Sequence, residues 1–454
     1  MSEPNELSLT EAAAAVRTGK MTATELTEAC LARIDATDAE VGAFASVQAE
    51  AARTTAAALD RQDPIGVLHG VPIALKDLFY TEGVATEANC AALAGFVPDR
   101  DATVVARLKA AGAIIVGKTN THELAFGVSC PASRNPWSLE HMTGGSSGGS
   151  AAALAARQVP GAFGTDTGGS VRIPANYCGV TGIKTTLGAV PRDGVHLISW
   201  TYDTVGPMAR TAEDCALLLE VAAGPSPRDH YSVAGPFTPP TDPSSLRLGV
   251  PAPEFFAGLD VDPAVQGVLD AAIEVLTGIV AGVKTVQPPT AAEHFDAGAA
   301  IVFAESAALM RDIRTRVPDR IGAEPRAIMD DGAKISAPDF AAANDARNSI
   351  KRRWERAFED QEVDVIIAPI TPNRVLDHGL DSIDGVPLIP ATTQFTFPIN
   401  GAGLPAIALP GGFDWDGLPV GFQLIGRAWY DLQLASLGRR FQTATEHHLQ
   451  QPTL

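Results

Sequence analysis

The sequence predicts an α/β protein built as a single large domain, and the order of its apolar segments is the main reason. Two short β-rich runs bounded by glycine, VPIALKDL (Val71 to Leu78) and AIIVG (Ala113 to Gly117), flank a segment of helical pattern, RDATVVARLKAAGA. Strand and helix therefore alternate, which is typical of α/β proteins. Further strand-like runs are distributed along all 454 residues, which favours one sheet over two independent domains.

The remaining elements follow from local signals. Thr22-Ala-Thr-Glu25 has capping-box spacing and begins a helix. The helix-forming run SAAALAA (Ser150 to Ala156) places the preceding GGSSGG at a helix N-terminus. LRLGVP, near residue 250, predicts a strand. Asp262 and a first-turn proline then begin the helix AVQGVLDAAIEVL. A long helix is expected from Phe340 to Phe358, before the strand VDVIIAP.

We expect three parts within the one domain of residues 1–454. A catalytic core spans about 65–215, and a Pro- and Ser-rich surface connection spans about 224–245. The C-terminal part, about 246–454, is expected to complete the substrate pocket.

Composition limits the classes of function. The formal net charge of -19 disfavours a basic face, so no binding to nucleic acid is expected. Five cysteines without a C-x-x-C pair predict neither a disulfide framework nor a zinc site. No run of about 18 apolar residues and no signal peptide is present, so we expect a soluble, cytoplasmic protein without a membrane partner.

The residues from Gly144 to Ser170 hold two glycine-embedded serines, Ser146 and Ser170. Flanking glycines let the backbone turn sharply and approach a small substrate closely. A serine hydroxyl needs a base, and this stretch contains no histidine. Lys76 follows an apolar run and could serve as the base if burial keeps its amine neutral. Lowering its pKa to near 7 requires that the neutral form be favoured by roughly 4 to 5 kcal/mol. Judged alone, Lys76 is explained more simply by its stem snorkelling to the surface.

Other interpretations of the glycine-rich stretch fit less well. The G-x-S-x-G elbow of α/β-hydrolases needs a buried strand before the turn, but residues 135–143 are polar and contain proline. A phosphate loop needs glycine followed directly by lysine and Ser or Thr, but GGSSGGS runs into alanines, and Lys184 follows Ile183. A flexible linker is disfavoured because a helix-forming segment follows at once.

Taken together, Lys76, Ser146 and Ser170 resemble the pattern of the amidase signature family of serine hydrolases. The matching segments are VPIALKD, GKTNTHE, RNPW, GGSSGGSAAALAA, GTDTGGSVRIPANYCGVTGIK, YDTVGPMARTAED, GLPAIALPGGF and GLPVGFQLIG. The resemblance covers nearly the whole chain. It implies a mixed central sheet covered on both faces by helices, and a site that uses no cofactor and no metal.

The resemblance also implies residue roles. Ser170 is the nucleophile that forms an acyl-enzyme, Ser146 relays the proton, and Lys76 is the final base. The resemblance also implies a cis peptide link at Ser146. The expected oxyanion hole consists of the backbone N–H groups of Thr167, Gly168, Gly169 and Ser170. Supporting hydrogen bonds are expected from Asp166, Arg172 and Ser147.

Substrate residues are harder to assign from sequence. The expected pocket walls are Phe126, Thr392, Thr393, Gln394 and Phe395, with Trp200 and Tyr202 as weaker candidates. His122 could contact the substrate or lie at the surface, and the surface is favoured. Such walls describe an aromatic and neutral cavity without a fixed charge. That cavity would suit small carboxamides, anilides or carbamates.

The function expected from these residues is a stand-alone amidohydrolase with a small-molecule amide or carbamate substrate. Aryl-acylamidase, esterase or urethanase activity and a homodimer are compatible with it. The alternative is the glutamine-hydrolysing component of a tRNA-dependent amidotransferase complex. In such components an acidic residue binds the glutamine amino group, and the matching position here is the uncharged Thr393, which favours the stand-alone enzyme. A catalytically dead binding protein is disfavoured because all three catalytic positions are intact.

Overall fold

The computed structural model describes residues 3–454, and an 11-stranded sheet extends through it. In chain order the strands are β1 (Phe44–Val47), β2 (Pro72–Lys76), β3 (Ile114–Thr119), β4 (Arg134–Asn135), β5 (Ser138–Met142), β6 (Gly161–Asp166), β7 (Thr181–Lys184), β8 (Thr204–Ala209), β9 (Arg247–Pro251), β10 (Gly282–Val286), β11 (Val365–Pro369), β12 (Ser382–Ile383), β13 (Val386–Pro387), β14 (Ala406–Phe413) and β15 (Pro419–Gly426).

The α-helices in the same residues are α1 (Leu9–Arg17), α2 (Ala23–Val41), α3 (Ala49–Leu59), α4 (Thr103–Ala110), α5 (Gly148–Ala155), α6 (Arg172–Cys178), α7 (Ala212–Ala222), α8 (Pro263–Thr277), α9 (Ala291–Leu309), α10 (Arg311–Arg316), α11 (Ala323–Gly332), α12 (Ala337–Glu359), α13 (Leu388–Thr392), α14 (Phe397–Ala402) and α15 (Asp431–Thr445). None of the helices in residues 3–454 combines the length and apolar character needed to cross a membrane.

The sheet is mixed, as expected. Its strand order is β1-β3-β2-β6-β8-β7-β14-β15-β11-β9-β10. The pairs of β2 with β3 and β6, and of β9 with β10 and β11, are parallel, and the remaining neighbours are antiparallel. Two short ribbons, β4 with β5 and β12 with β13, lie apart from it.

The predicted local signals produce the predicted elements. The Thr22 hydroxyl accepts from the backbone N–H of Glu25 while the Glu25 carboxylate accepts from that of Thr22, which completes the capping box of α2. The Asp262 carboxylate caps α8, whose first residue is proline. The predicted strands at β2, β3, β9 and β11 and the predicted helices at α4 and α12 are also confirmed.

Helices cover both faces of the sheet, which confirms the expected architecture. Alternate residues of β2 separate accordingly: Ile73 and Leu75 join one buried apolar cluster, and Ala74 joins another. The first cluster includes residues of α7, α8 and α15, and the second includes residues of α2, α5 and α6. Because β2 and β6 are parallel neighbours, their carboxyl ends, Lys76 and Asp166, lie at the same edge of the sheet.

Candidate active site

Lys76 and Ser146 are in direct contact although they are 70 residues apart. Nζ of Lys76 lies 2.7 Å from Oγ of Ser146 and 2.9 Å from Oγ1 of Thr165 on the neighbouring strand. All three residues are buried. Sequence reasoning missed Thr165, although it stands within the matched GTDTGGS segment, because nothing in a sequence tells which neighbouring side chain a buried amine will reach.

Burial changes the acid–base behaviour of Lys76. Loss of solvation lowers the pKa of its amine to about 7, although the nearby Cys130, Asp203 and Asp166 favour the charged form. A large part of the population therefore has a neutral amine near pH 7. The snorkelling interpretation is excluded because the amine is fully buried. A neutral amine that touches a serine hydroxyl can take its proton.

The two glycine-embedded serines are held side by side. The backbone N–H of Ser147 donates to the carbonyl of Ser170 at 3.1 Å. The peptide bond between Gly145 and Ser146 is cis, as the resemblance implies. Among the hydrogen bonds of residues 3–454, none joins the side chains of Ser146 and Ser170, so the second half of the relay is not formed here. Ser170 is 6% exposed and faces a cavity, whereas Ser146 has no exposed surface.

An ion pair supports the loop that carries Ser170. Nε and Nη2 of Arg172 each donate to the Asp166 carboxylate at 3.0 Å, and both residues are fully buried. Burial alone would raise the pKa of Asp166, but the Arg172 guanidinium holds it well below its usual range. Nη1 of Arg172 also donates to Oε1 of Gln423 at 2.9 Å, and Nη2 donates to Oδ1 of Asn400 at 2.6 Å. A carboxylate this well paired stays ionised and holds the turn.

The structure corrects one member of the expected oxyanion hole. The N–H of Gly169 donates to Oδ1 of Asp166 at 2.8 Å, so it points into the supporting ion pair and not toward the cavity. The N–H groups of Thr167, Gly168 and Ser170 have no acceptor within residues 3–454 and can receive a developing oxyanion. Gly169 has φ of +130°, a conformation that a side chain would strain.

Residues distant in sequence hold the same turn. The Thr396 hydroxyl donates to the carbonyl of Gly168 at 2.6 Å, and the Thr167 hydroxyl donates to Oδ1 of Asp203 at 2.6 Å. The other oxygen of Asp203 accepts from the backbone N–H of Ile198 at 2.8 Å. Neither Thr396 nor Asp203 is in the expected site, because their contacts with the turn depend on how separate elements pack.

The Ser147 hydroxyl also has a supporting position. It donates to the carbonyl of Thr165 at 3.2 Å, so it connects the loop of Ser146 to β6. A Cβ at Gly164, on the same strand, would overlap this hydroxyl, so the glycine makes the close approach possible.

A cavity of about 800 Å³ lies above Ser170. Of the expected wall residues, Phe126 and Thr393 line it. Three do not. Thr392 donates to the carbonyl of Leu388, the amide of Gln394 donates to that of Pro390, and Phe395 packs against Phe255 and Phe256. These positions lie on or beside one short helix, so successive side chains point in different directions.

Trp200 and Tyr202 do not line the cavity either. Tyr202 is buried behind it, where its hydroxyl lies 3.1 Å from Nε2 of His294. Two helices also line the cavity, α9 and α11, which supply Phe295, Phe303 and Ile328. Sequence reasoning missed these walls because an apolar helix residue has the same pattern whether it faces the core or a cavity.

The expectation of an uncharged cavity is wrong, and so is that of a surface His122. Glu324, at the start of α11, and Asp381 both line the cavity. His122 is 8% exposed and also lines it. The acidic side chains come from segments that the sequence analysis did not assign to the cavity wall. No group of three or more His, Cys, Asp or Glu side chains in residues 3–454 is arranged to hold a metal ion.

Comparisons with known proteins agree with this geometry. The Amidase family matches residues 25–435. The glutamyl-tRNA(Gln) amidotransferase A-subunit from Roseiflexus sp. (strain RS-1) is 40% identical over 99% of both chains. The crystal structure of the Thermotoga maritima protein of the same name has a TM-score of 0.82 and 30% identity, with 98% of this chain and 96% of that chain covered. A bacterial aryl acylamidase of the amidase signature enzymes has a TM-score of 0.89 and 26% identity over the whole of both chains.

These relatives overturn the expectation of a stand-alone enzyme. The relatives that are about 40% identical over the full chain are named as amidotransferase subunits, which also contradicts the expectation of a small-molecule substrate alone and no nucleic acid. Thr393 is a single position, and the net charge describes this chain and not a partner protein, so neither excludes a complex that binds tRNA. Hydrolysis of an amide is the chemistry common to the family and this site. From its matched residues and its full-length relatives, the chain belongs to the amidase signature family.

Proposed function

We propose that this protein is the glutamine-hydrolysing component of a tRNA-dependent amidotransferase, in which it releases ammonia for a partner protein. The observation that supports this proposal most strongly is the 40% identity, over 99% of both chains, with the Roseiflexus protein. The contact between Lys76 and Ser146 supplies the machinery that amide hydrolysis requires. The acidic net charge of this chain leaves the binding of tRNA to the partner.

In the proposed first step, Oγ of Ser170 attacks the carboxamide carbon of glutamine. Its proton passes to Oγ of Ser146 as the Ser146 proton passes to the neutral amine of Lys76. The carbonyl oxygen becomes an oxyanion, which the N–H groups of Thr167, Gly168 and Ser170 are free to bind. Each such donor is worth about 3 to 4 kcal/mol in the transition state.

The intermediate then collapses. The C–N bond breaks, and the leaving nitrogen takes back the proton from Lys76 through Ser146, so that ammonia leaves and an ester on Ser170 remains. Water attacks this ester as its proton passes along the same relay to Lys76. Glutamate leaves when that proton returns to Oγ of Ser170, which restores the neutral amine.

The proposal is tested by ammonia release from glutamine. We expect the purified chain, coexpressed with the partner proteins of its own source organism, to copurify with them and to release ammonia from glutamine. The complex carrying Ser170→Ala is the blank, because it should assemble without turnover. Failure of the chain to copurify with any partner, together with hydrolysis of apolar amides but not glutamine, would overturn the proposal.

A further inference from the structure

An ionisable pair on the cavity wall has no part in the mechanism above. Nε2 of His122 lies 3.5 Å from Oε2 of Glu324, and both residues line the cavity that Ser170 faces. The His122 side chain is nearly buried, at 10% exposure, whereas that of Glu324 is 56% exposed and remains open to a ligand.

The surrounding residues hold this pair in position. A Cβ at Gly127 would overlap the imidazole of His122, so the glycine gives the ring its place. The carboxylate of Glu123 accepts from the backbone N–H of Gly322 at 2.9 Å, which fixes the start of α11 two residues before Glu324. A Cβ at Gly322 would overlap that carboxylate. Two glycines and a hydrogen bond therefore align the segments that bear the pair.

The pair is also connected to the catalytic loop. The backbone N–H of His122 donates to the carbonyl of Ser146 at 3.2 Å. A substrate whose amide carbon lies at Ser170 therefore occupies a cavity whose wall carries this ionisable pair.

Glu324 is the cavity acid best suited to a ligand. Among the lining residues of the described chain, the only acids are Glu324 and Asp381, and neither lysine nor arginine is present. Oδ1 of Asp381 already accepts from the Ser382 hydroxyl at 2.9 Å. The rest of the wall is mainly apolar, so a cationic group in the cavity has few other sites with which to pair.

We propose that Glu324, held by His122, binds a protonated amino group of the amide substrate, and so selects amides that carry an amine at one end. The inference rests on the proposed function in one respect, which is that glutamine is the member of this class that the cell supplies. It assigns the acidic function to α11, on a wall distant in sequence from Thr393.

Three amides with the same reacting group test the inference. Glutamine carries an ammonium and a carboxylate, 4-aminobutyramide is glutamine without the carboxylate, and butyramide lacks both charges. We expect the parent protein to prefer 4-aminobutyramide over butyramide in kcat/KM. Glu324→Gln should reduce this preference about tenfold, mainly through KM, because it removes the charge and keeps the size. Asp381→Asn is the matched control and should leave the preference unchanged.

Binding measurements keep the test decisive where turnover is slow. The affinities of the Ser170→Ala variant, with and without Glu324→Gln, for the same three amides give the same comparison. An equal affinity of the parent site for 4-aminobutyramide and butyramide, or a preference that survives Glu324→Gln, would overturn the inference. A preference for 4-aminobutyramide without any hydrolysis of glutamine by the complex would instead overturn the proposed function and retain the ammonium site.

Discussion

The sheet edge that carries the proposed catalytic groups and the cavity wall formed by α9 and α11 are built differently. At the edge, polar groups are buried and paired: Lys76 contacts two hydroxyls, and the Arg172 guanidinium donates to four different residues. On the wall, α9 and α11 present mostly apolar side chains, and the charged groups are few.

The difference follows from what each region must do. Proton transfer needs its groups within hydrogen-bond distance, and a buried polar group without a partner costs about 1 to 3 kcal/mol. Each polar residue of the edge therefore depends on the others. An apolar wall needs shape and volume only, and volume-conserving changes there typically cost less than about 1.5 kcal/mol. Relatives can thus share the edge and differ in substrate.

The strongest test of the edge is Ser170→Ala, which removes the proposed nucleophile. We expect amide hydrolysis to fall by about 10⁴-fold or more with little change in melting temperature, because the variant loses one oxygen atom beside an existing cavity. Ammonia release measures the activity and thermal unfolding measures the stability.

The matched control for this variant is Ser150→Ala, a buried serine of the same glycine-rich stretch. Its hydroxyl contacts Thr119 and the carbonyl of Phe163 and does not face the cavity. We expect it to retain turnover at some cost in stability. Similar losses of turnover in the two variants would mean that disturbed packing, and not removal of the nucleophile, abolishes activity.

The second test is the pH dependence of Lys76. In the proposed mechanism the neutral amine is the base, and its pKa is about 7, so activity should fall roughly tenfold for each pH unit below 7 and level off above it. Lys76→Met should lower the rate about 10²- to 10⁴-fold and remove this acid limb from the remaining activity. A profile of kcat/KM against pH measures both effects.

Lys184→Met serves as the control, because burial also lowers the pKa of Lys184 to about 7. Its amine donates to the carbonyl of Thr185 and has no hydrogen bond to Ser146 or Ser170. The acid limb should therefore persist in Lys184→Met. If it disappears there and persists in Lys76→Met, the base has been assigned to the wrong lysine.

The same contrast explains what could be predicted from the sequence. The residues of the edge could be predicted because most of them are close in sequence: Ser146, Ser170, Asp166 and Arg172 lie within 27 residues of one another. Parallel strands then bring Lys76 to them. The direction of the Gly169 N–H could not be predicted, because it can point either to Asp166 or into the cavity, and only the backbone conformation of the turn decides which.

The wall could not be predicted in the same way. Phe126 and Thr393 lie on it, but Gln394 and Phe395 next to Thr393 do not, because the short helix α13 and the turn after it direct neighbouring side chains apart. Glu324 lies at the cavity because the hydrogen bond between Glu123 and Gly322, which are 199 positions apart, fixes the start of α11. No periodic pattern in a sequence predicts a contact between residues so far apart.

The smallest expected effect tests the wall alone. Ile328→Ala on α11 removes apolar surface from the cavity without touching the polar edge. We expect kcat/KM to fall less than about tenfold, through KM, while the acid limb near pH 7 stays in place, because a lost apolar contact weakens binding of substrate and transition state alike. Ile328→Leu keeps the volume and should change little. A shift of the acid limb in Ile328→Ala would break the comparison, because it would show that the wall sets the solvation of Lys76 as well as the fit of the substrate.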